Sequence, residues 1–474
     1  MDISRRFFIG GAAATVADGV FGAVKGDFGG APIARIGVLS DVHLNRPGDE
    51  KHLLHAFEWF RDHGADGVLV AGDIADSGKV PQLARFAECW FRVFPDDRAP
   101  DGRRVERLFV YGNHDIHGWQ WGGMKQYKDD DQKRREAIGF ENNRKPVWER
   151  LFHEEFQPVW KKTVKGITVI GAHWESNHSP QIVPFMEKHG RELDPNLPFL
   201  YTQHSHPKDT CYGPCAWGHD NGEATRALSP FRNAVAFSGH SHYALTDERS
   251  VWQGEFTSIG TASLRYISLD YARVENASGN SYDPGNKTWG RQPSMNLLPT
   301  GDSQQGLMVD VFADRLTLHR RDFGSDATLG DDWTVPVPVP SSRPFAYAER
   351  AKKRTAPVFA AGAEAKAELL DKPPACARKA VKGACWRVAF PAAKTVAKCR
   401  PFKYEVTALG ADGKVLDVRT IMAPGFHLPF ERSERPGECV FPASVFPPDA
   451  KPVFEVRAVE CFGLKGPPLV ARVG

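Results

Sequence analysis

No stretch of this chain approaches the roughly 18 uninterrupted apolar residues that a membrane span requires, so no transmembrane helix is expected. A charge excess is missing too: 61 Lys and Arg against 58 Asp and Glu leave a formal net charge of +3. That balance gives no reason to expect a nucleic-acid or membrane-surface partner. Thiols are few and poorly placed for metal. Cys211 and Cys215 have no second pair nearby, which argues against a zinc knuckle and for a local disulfide shaping the loop after His206. Cys376, Cys385, Cys399, Cys439 and Cys461 make up the C-terminal five of eight cysteines, so at least one cannot pair within that segment. The 474 residues suggest two or three domains, and 41% hydrophobic residues with 11% aromatic is ordinary for a globular protein.

What is present is an ordered series of five short polar motifs: Asp41-Val42-His43, Gly72-Asp73, Gly112-Asn113-His114-Asp115, Gln203-His204-Ser205-His206 and Gly239-His240-Ser241-His242. Any one alone would pass for a turn. Together they supply the oxygen and nitrogen ligands of a two-metal hydrolase. Imidazole, carboxylate and amide oxygen suit iron, zinc or manganese, and no thiolate stands within the motifs, which argues against a soft-metal site.

The early motifs each follow a strand-like run. Ile33 to Ser40 stops at Asp41, Gly67 to Ala71 at Gly72-Asp73, and Leu108 to Tyr111 at Gly112-Asn113. Between them, Lys51 to His63 places Leu53, Leu54, Phe57 and Phe60 on one helical face, and Val80 to Phe94 does the same with Leu83, Phe86, Ala87 and Trp90. This is the pattern of a βαβαβ unit with a parallel sheet, an α/β class. Ligands of such sheets gather outside the carboxyl ends of the strands, so Asp41, Asp73 and Asn113 should converge on one rim. Ile167 to Ala172, Pro198 to Thr202 and Ala234 to Phe237 repeat the strand pattern, the last leading to Gly239-His240. Glu255 to Gly260, Gln305 to Phe312 and Arg315 to Arg321 read as further strands, with a hairpin turn at Asp314.

From about Ile33 to about Phe323, the five blocks resemble the calcineurin-like metallophosphoesterases, the superfamily that includes purple acid phosphatases and many phosphodiesterases. The resemblance implies an αββα sandwich holding two divalent or transition metal ions, Fe, Zn or Mn. It implies that Asp41, His43, Asp73 and His242 hold one ion, and that Asp73, Asn113, His204 and His240 hold the other, with Asp73 bridging. Two such cations, about 3.5–4 Å apart, activate water and clamp an in-line displacement. In the fourth block His204 is the expected ligand and His206, beside Pro207, a loop residue near the mouth. His114 is implied to contact the substrate phosphate and the leaving oxygen, with Asp115 orienting its ring and favouring its protonated form.

Further substrate contacts are expected from His117, His173 and His206, and from Trp119 and Trp121 in the insertion between Ile116 and Lys165. Later in that insertion, Val147 to Trp160 carries Trp148, Leu151, Phe152 and Phe156 at helical spacing. His52, His55, His63, His153, His189 and His319 have no partner pattern and read as structural or solvent-exposed. At the N-terminus, Ser4-Arg5-Arg6-Phe7-Phe8 ahead of Ile9 to Ala14 resembles a twin-arginine export signal, implying a periplasmic or extracellular protein and setting residues 1–30 apart from the fold. The phosphoesterase domain is then expected over 31–333, a Pro-rich and Ala/Lys-rich linker over 334–372, and a small β-sandwich similar to a fibronectin type III module over 373–474. The expected activity is hydrolysis of phosphate esters, a phosphodiesterase first, by attack of a metal-bridging hydroxide. A phosphomonoesterase or nucleotidase is the alternative, and a non-catalytic metal-containing binding protein the third reading.

Overall fold

The computed structural model describes residues 30–118, 139–175, 178–214, 216–268, 301–377, 381–448 and 451–473. The fold begins with three parallel strands, β1 (Ala34–Leu39), β2 (Gly67–Ala71) and β3 (Glu106–Val110). Their side chains are buried on both faces, as a parallel sheet covered twice requires. Ile36, Val38, Leu69 and Leu108 face one core, while Leu39, Val68, Val70 and Phe109 face another.

The second of these cores is closed by helices. Lys51–Asp62 buries Leu53, Ala56, Phe57 and Phe60, and Val80–Val93 buries Leu83, Phe86, Ala87 and Trp90. Phe57 meets Phe86 and Trp90 edge to face at 5.7 and 5.4 Å, which locks the two helices to each other.

A second sheet follows, made of β4 (Val159–Val164), β5 (Ile167–Ala172), β6 (Phe199–Thr202), β7 (Ala234–Ser238), β8 (Val251–Gln253) and β9 (Thr257–Gly260). Its order is β4-β5-β6-β7-β9-β8, with β5, β6, β7 and β9 parallel. Its inner face shares the core of Ile36 and Val38, and its outer face packs on helices Ile182–His189 and Glu223–Leu228. The chain then returns to the first sheet through β10 (Gln305–Val311), β11 (Arg315–Asp322), β12 (Ala327–Thr328) and β13 (Trp333–Pro336). The result is four layers, helix, sheet, sheet and helix, with the carboxyl ends of β1, β2, β3, β6 and β7 feeding one rim.

The C-terminal part has two antiparallel sheets. Its strands are β14 (Lys366–Leu370), β15 (Cys385–Phe390), β16 (Lys403–Leu409), β17 (Val415–Met422), β18 (Gly437–Pro442), β19 (Val453–Val459) and β20 (Leu469–Arg472). One sheet runs β14-β15-β18 and the other β17-β16-β19-β20. Phe390 against Tyr404 at 4.9 Å and Phe441 against Phe454 at 5.4 Å join them face to face.

Three expectations change. The helix expected to reach Trp160 runs only over Arg144–Phe152, because His153 takes a left-handed turn and Trp160 joins β4, donating its indole N–H to Phe109 O. The stretch after Thr334 is not a free connector: Thr334 to Pro336 pair with β11, and Val337 and Val339 are buried. Within the Ala/Lys-rich stretch, Tyr347 is buried and Lys366 already begins β14. A proline-rich segment can fill a sheet edge, where a missing N–H costs no ladder bond. The Cys211–Cys215 pairing, Trp119, Trp121 and the export signal lie outside the described residues; Cys89, Cys385, Cys399, Cys439 and Cys461 form no disulfide among the described residues.

Candidate metal centre

Five of the seven expected ligands have left-handed backbone: Asp41 (φ 51°), His43 (46°), Asp73 (52°), His240 (69°) and His242 (56°). Non-glycine residues reach this region at an energetic cost, and such strain concentrates at functional sites. The turns are held by the chain itself, since Asp41 N donates to Gly72 O at 3.0 Å and His43 N to Asp73 O at 2.9 Å. Two motif glycines are demanded by close approach. A Cβ on Gly239 would sit 1.7 Å from Ser40 Oγ and 2.3 Å from Asp41 Oδ2, and one on Gly112 would sit 2.3 Å from Asp73 Oδ1. The glycines therefore let the later motifs close onto the earlier ones.

The expected ligands form two triads, Asp41–His43–His242 and Asp73–His204–His240, and His43 joins Asp76 and His114 in a third, each with its donor atoms within 4.8 Å of one another. Asp73 Oδ2 stands 3.0 Å from His204 Nε2 and 3.7 Å from His43 Nε2, so this one oxygen lies between the first two triads. Asp41 Oδ1 is 2.8 Å from His242 Nε2. Yet Asp41 Oδ1, Asp73 Oδ2 and Asn113 Oδ1 are all buried without an aligned hydrogen bond. Imidazole nitrogens also face each other, His43 Nε2 to His242 Nε2 at 3.2 Å and His204 Nε2 to His240 Nδ1 at 3.1 Å. Donor atoms that converge without aligning fit cations placed between them, and the nitrogen–oxygen set fits iron, zinc or manganese.

The far sides of these groups are fixed. His204 Nδ1 lies 2.8 Å from Ala71 O and His242 Nδ1 3.1 Å from Tyr266 O, contacts that set each ring's orientation. Ser40 Oγ and His240 N both donate to Asp41 Oδ2, at 2.5 and 3.0 Å. With only protons to share, the cluster pairs internally. Burial alone would raise Asp41, but His242 and His43 outweigh it and hold the carboxyl well below its usual range. Burial would lower His43, but Asp41 and Asp76 push it up to about 10. His204 is likewise pushed up to about 9, against burial, mainly by Asp73. Cations would displace these protons, so metal uptake releases acid.

His114 stands at the same rim, its ring edge-on to His43 at 4.5 Å and its Nδ1 2.8 Å from Asp76 O. Asp115 does not orient that ring, contrary to expectation. Its carboxylate accepts N–H from Ile74, Ala75 and Gly112 at 3.2, 2.6 and 2.7 Å, anchoring the second motif loop to the third. Nor does its setting favour the protonated ring: burial lowers the His114 pKa, against the pull of Asp73.

The other expected contacts divide. His206 is not at the mouth but fully buried, its Nε2 2.8 Å from Ser241 Oγ. His173 is fully buried and stacked on Tyr111 at 4.3 Å, and burial drives it down to about 3, so it does not face substrate. His117 is half-buried, 4.0 Å from Glu141 Oε1. None of His52, His55, His63, His153, His189 and His319 joins a ligand cluster among the described residues.

Sequence reasoning missed Asp76, whose Oδ1 lies 3.3 Å from His43 Nδ1. Its position three residues after Asp73 was the available signal. It also missed Trp217, stacked on His240 at 4.7 Å, and Tyr266, 4.4 Å from the His242 ring; nothing in the local sequence marked either.

The calcineurin-like phosphoesterase family model matches residues 34–244, the span that carries every one of these ligands. This segment is a calcineurin-like phosphoesterase domain. This stretch is accordingly of the metal-dependent phosphoesterase class. No curated protein matches it. Among solved structures it is similar to a dimetal phosphatase from Danio rerio, at 12% identity over 64% of this chain and 99% of the other, with a TM-score of 0.33. It is also similar to GAP50, the anchor in the inner membrane complex of Plasmodium (9%, 64% and 88%, TM-score 0.35). A third is Vacuolar Protein Sorting 29 from Cryptosporidium parvum (10%, 64% and 97%, TM-score 0.28). Likeness at this level transfers no function.

Proposed function

We propose that the phosphoesterase domain hydrolyses phosphate diesters at a dinuclear metal centre. Three buried, unaligned acceptors, Asp41 Oδ1, Asp73 Oδ2 and Asn113 Oδ1, support the metal centre, because such groups are costly unless cations meet them, and the phosphoesterase family match over residues 34–244 supports hydrolysis there. Asp41, His43, Asp73 and His242 would hold one ion, and Asp73, Asn113, His204 and His240 the other. When bound, the pair supplies Lewis-acid activation of water and of the phosphoryl oxygens.

The chain's own groups do the rest. Ala71 O and Tyr266 O fix the rings of His204 and His242. With a proton held at Nδ1 toward Asp76 O, His114 would keep Nε2 for substrate. There it binds a phosphoryl oxygen and, once protonated, gives its proton to the leaving oxygen. Charge favours a diester over a monoester. A monoester approaches a second negative charge at neutral pH. Among the described residues, Arg265, whose charge reaches Asp76, is already paired with Asp49 at 2.8 Å.

The test compares kcat/KM of the metal-loaded protein on a bis-aryl phosphate and on the aryl monoester. A higher value on the diester supports the proposal. A tenfold preference for the monoester would make the protein a phosphomonoesterase or nucleotidase, and no turnover of either would favour the binding-protein reading. We further propose export through a twin-arginine route, supported by Ser4-Arg5-Arg6-Phe7-Phe8, and a fibronectin type III-like C-terminal module, supported by its three-plus-four antiparallel strands. Replacing Arg5 and Arg6 by lysine should strand the protein in the cytoplasm; unchanged delivery rules the export reading out. A refined fold comparison of residues 366–473 that places the strands in another sandwich topology would remove the module assignment.

A further inference from the structure

A second polar cavity, of about 250 Å³, lies between the catalytic sheets and the C-terminal sandwich. Arg320, Arg354 and Arg400 line it, with Lys398 at its exposed edge, together with Glu248 and Thr246. The guanidiniums around it outnumber the carboxylates that pair with them. Glu248 is used by Arg320 (3.2 Å), by Arg350 and by the Trp333 indole N–H (3.0 Å). Glu460 is used by Arg354 at 3.2 Å. The mouth carboxylates are taken as well, Asp331 by Lys398 and Asp332 by His319 at 2.9 Å.

Arg400 is left over. It is 6% exposed, and among the described residues its guanidinium hydrogen-bonds to backbone carbonyls alone, Phe426 O at 2.8 Å, Leu428 O at 2.7 Å and Leu329 O at 3.4 Å, with the Phe430 ring 4.3 Å away and Glu248 and Glu431 acting on it without direct contact. Carbonyl oxygens orient a guanidinium without cancelling its charge, and a buried uncancelled charge is costly. Burial, and then the neighbouring Arg320, pull Arg400 down to about 10, as expected for a cation short of an anion. An independent observation points the same way. Thr246, 3% exposed and lining the cavity, has a hydroxyl without a hydrogen-bond partner among the described residues. A hydroxyl and a guanidinium lining one cavity offer the two kinds of donor that phosphate or sulfate oxygens accept from.

We propose that this seam cavity is a binding site for a small tetrahedral oxyanion, of the inorganic phosphate or sulfate type, held by Arg400 and Thr246 and entering past Lys398. It is separate from the metal rim and stands whether or not the phosphodiester reading is right. A bound anion there would tie the sandwich to the catalytic sheets, since Thr246 belongs to the second and Arg400 to the first of these parts.

The test uses the full chain with Asp73→Ala, which removes the anion affinity of the metal rim. Titration calorimetry and thermal unfolding are run with phosphate, with sulfate, and with chloride at matched ionic strength. One site per chain is expected, with a rise in Tm of several degrees for phosphate or sulfate and none for chloride. Response to phosphate alone, or to both, tells which oxyanion the cavity takes. Thr246→Val, which keeps the shape and removes one donor, should weaken binding about tenfold while leaving the anion-free Tm nearly unchanged; Arg400→Gln should abolish it. No saturable binding in the Asp73→Ala chain would overturn the proposal, as would equal affinity in the Thr246→Val chain.

Discussion

The metal rim and the seam beneath the sandwich are both buried, charged and drawn from distant parts of the chain, yet they are wired differently. At the seam, charged groups meet as aligned partners, Glu248 with Arg320, Arg350 and Trp333, and Arg354 with Glu460. At the rim they converge without aligning, leaving oxygens of Asp41, Asp73 and Asn113 unbonded and imidazole nitrogens facing each other. An aligned network serves the fold, whereas a converging one is completed by something that is not protein. Arg400 is the place where the seam behaves like the rim.

The largest expected effect breaks the contrast at the rim. Asp73→Ala should lose both metals and bring hydrolysis down to background, whereas Glu248→Gln should keep both. Elemental analysis of the two purified variants decides it, and two metals retained without Asp73 would remove its bridging assignment. Next in size, His114→Ala should slow esters of poorly acidic alcohols by about 10²–10⁴-fold and aryl esters far less, with metal content unchanged. Equal losses on both ester types would leave His114 as a phosphate-positioning group.

At the seam the cost should appear as stability. Glu248→Gln strands Arg320 and Arg350 and should cost about 3–5 kcal/mol in denaturant unfolding. The same group sets a pH dependence. Burial would raise Glu248, but Arg320, Arg350 and Arg354 outweigh it and hold it at about 2 against an ordinary 4.5. Its contribution is therefore complete above pH 4.5 and is lost as pH falls toward about 2. Wild-type stability should fall across that window and the Glu248→Gln protein should show a shallower fall; parallel curves would mean that other carboxylates control acid unfolding. The smallest effect sharpens the boundary between the two regions. His206→Ala should leave metal content intact and cost about 1–3 kcal/mol through the orphaned Ser241 hydroxyl. Loss of one metal in that variant would transfer the ligand role from His204.

The cluster of candidate ligands was legible in the sequence because its members sit at strand ends, where an apolar β-branched run stops at a polar residue. β1, β2 and β5 begin or end within a residue of where that pattern places them. The helix expected through Trp160 misled because a period near 3.6 survived by coincidence past a chain reversal at His153. Asp115 misled because adjacency to His114 says nothing about where a side chain points. It turned instead to three backbone amides of its own and the neighbouring loop.

By itself, then, the sequence determined which residue types stand at the carboxyl ends of the strands, and with them the donor chemistry. The motif resemblance pointed to His204 as the ligand, but only tertiary structure placed His206 away from the cluster. A strand end fixes direction by alternation, so His204 and His206, two residues apart, share a face in sequence, and only the loop geometry set by Gly72, Gly112 and Gly218 sends one ring to Asp73 and the other to Ser241. Tertiary structure also decided that the proline-rich segment is sheet rather than tether. Val337 joins the main core and Val339 is buried with its N–H donating to Arg232 O, and burial of that kind is a property of the assembled molecule, not of the segment.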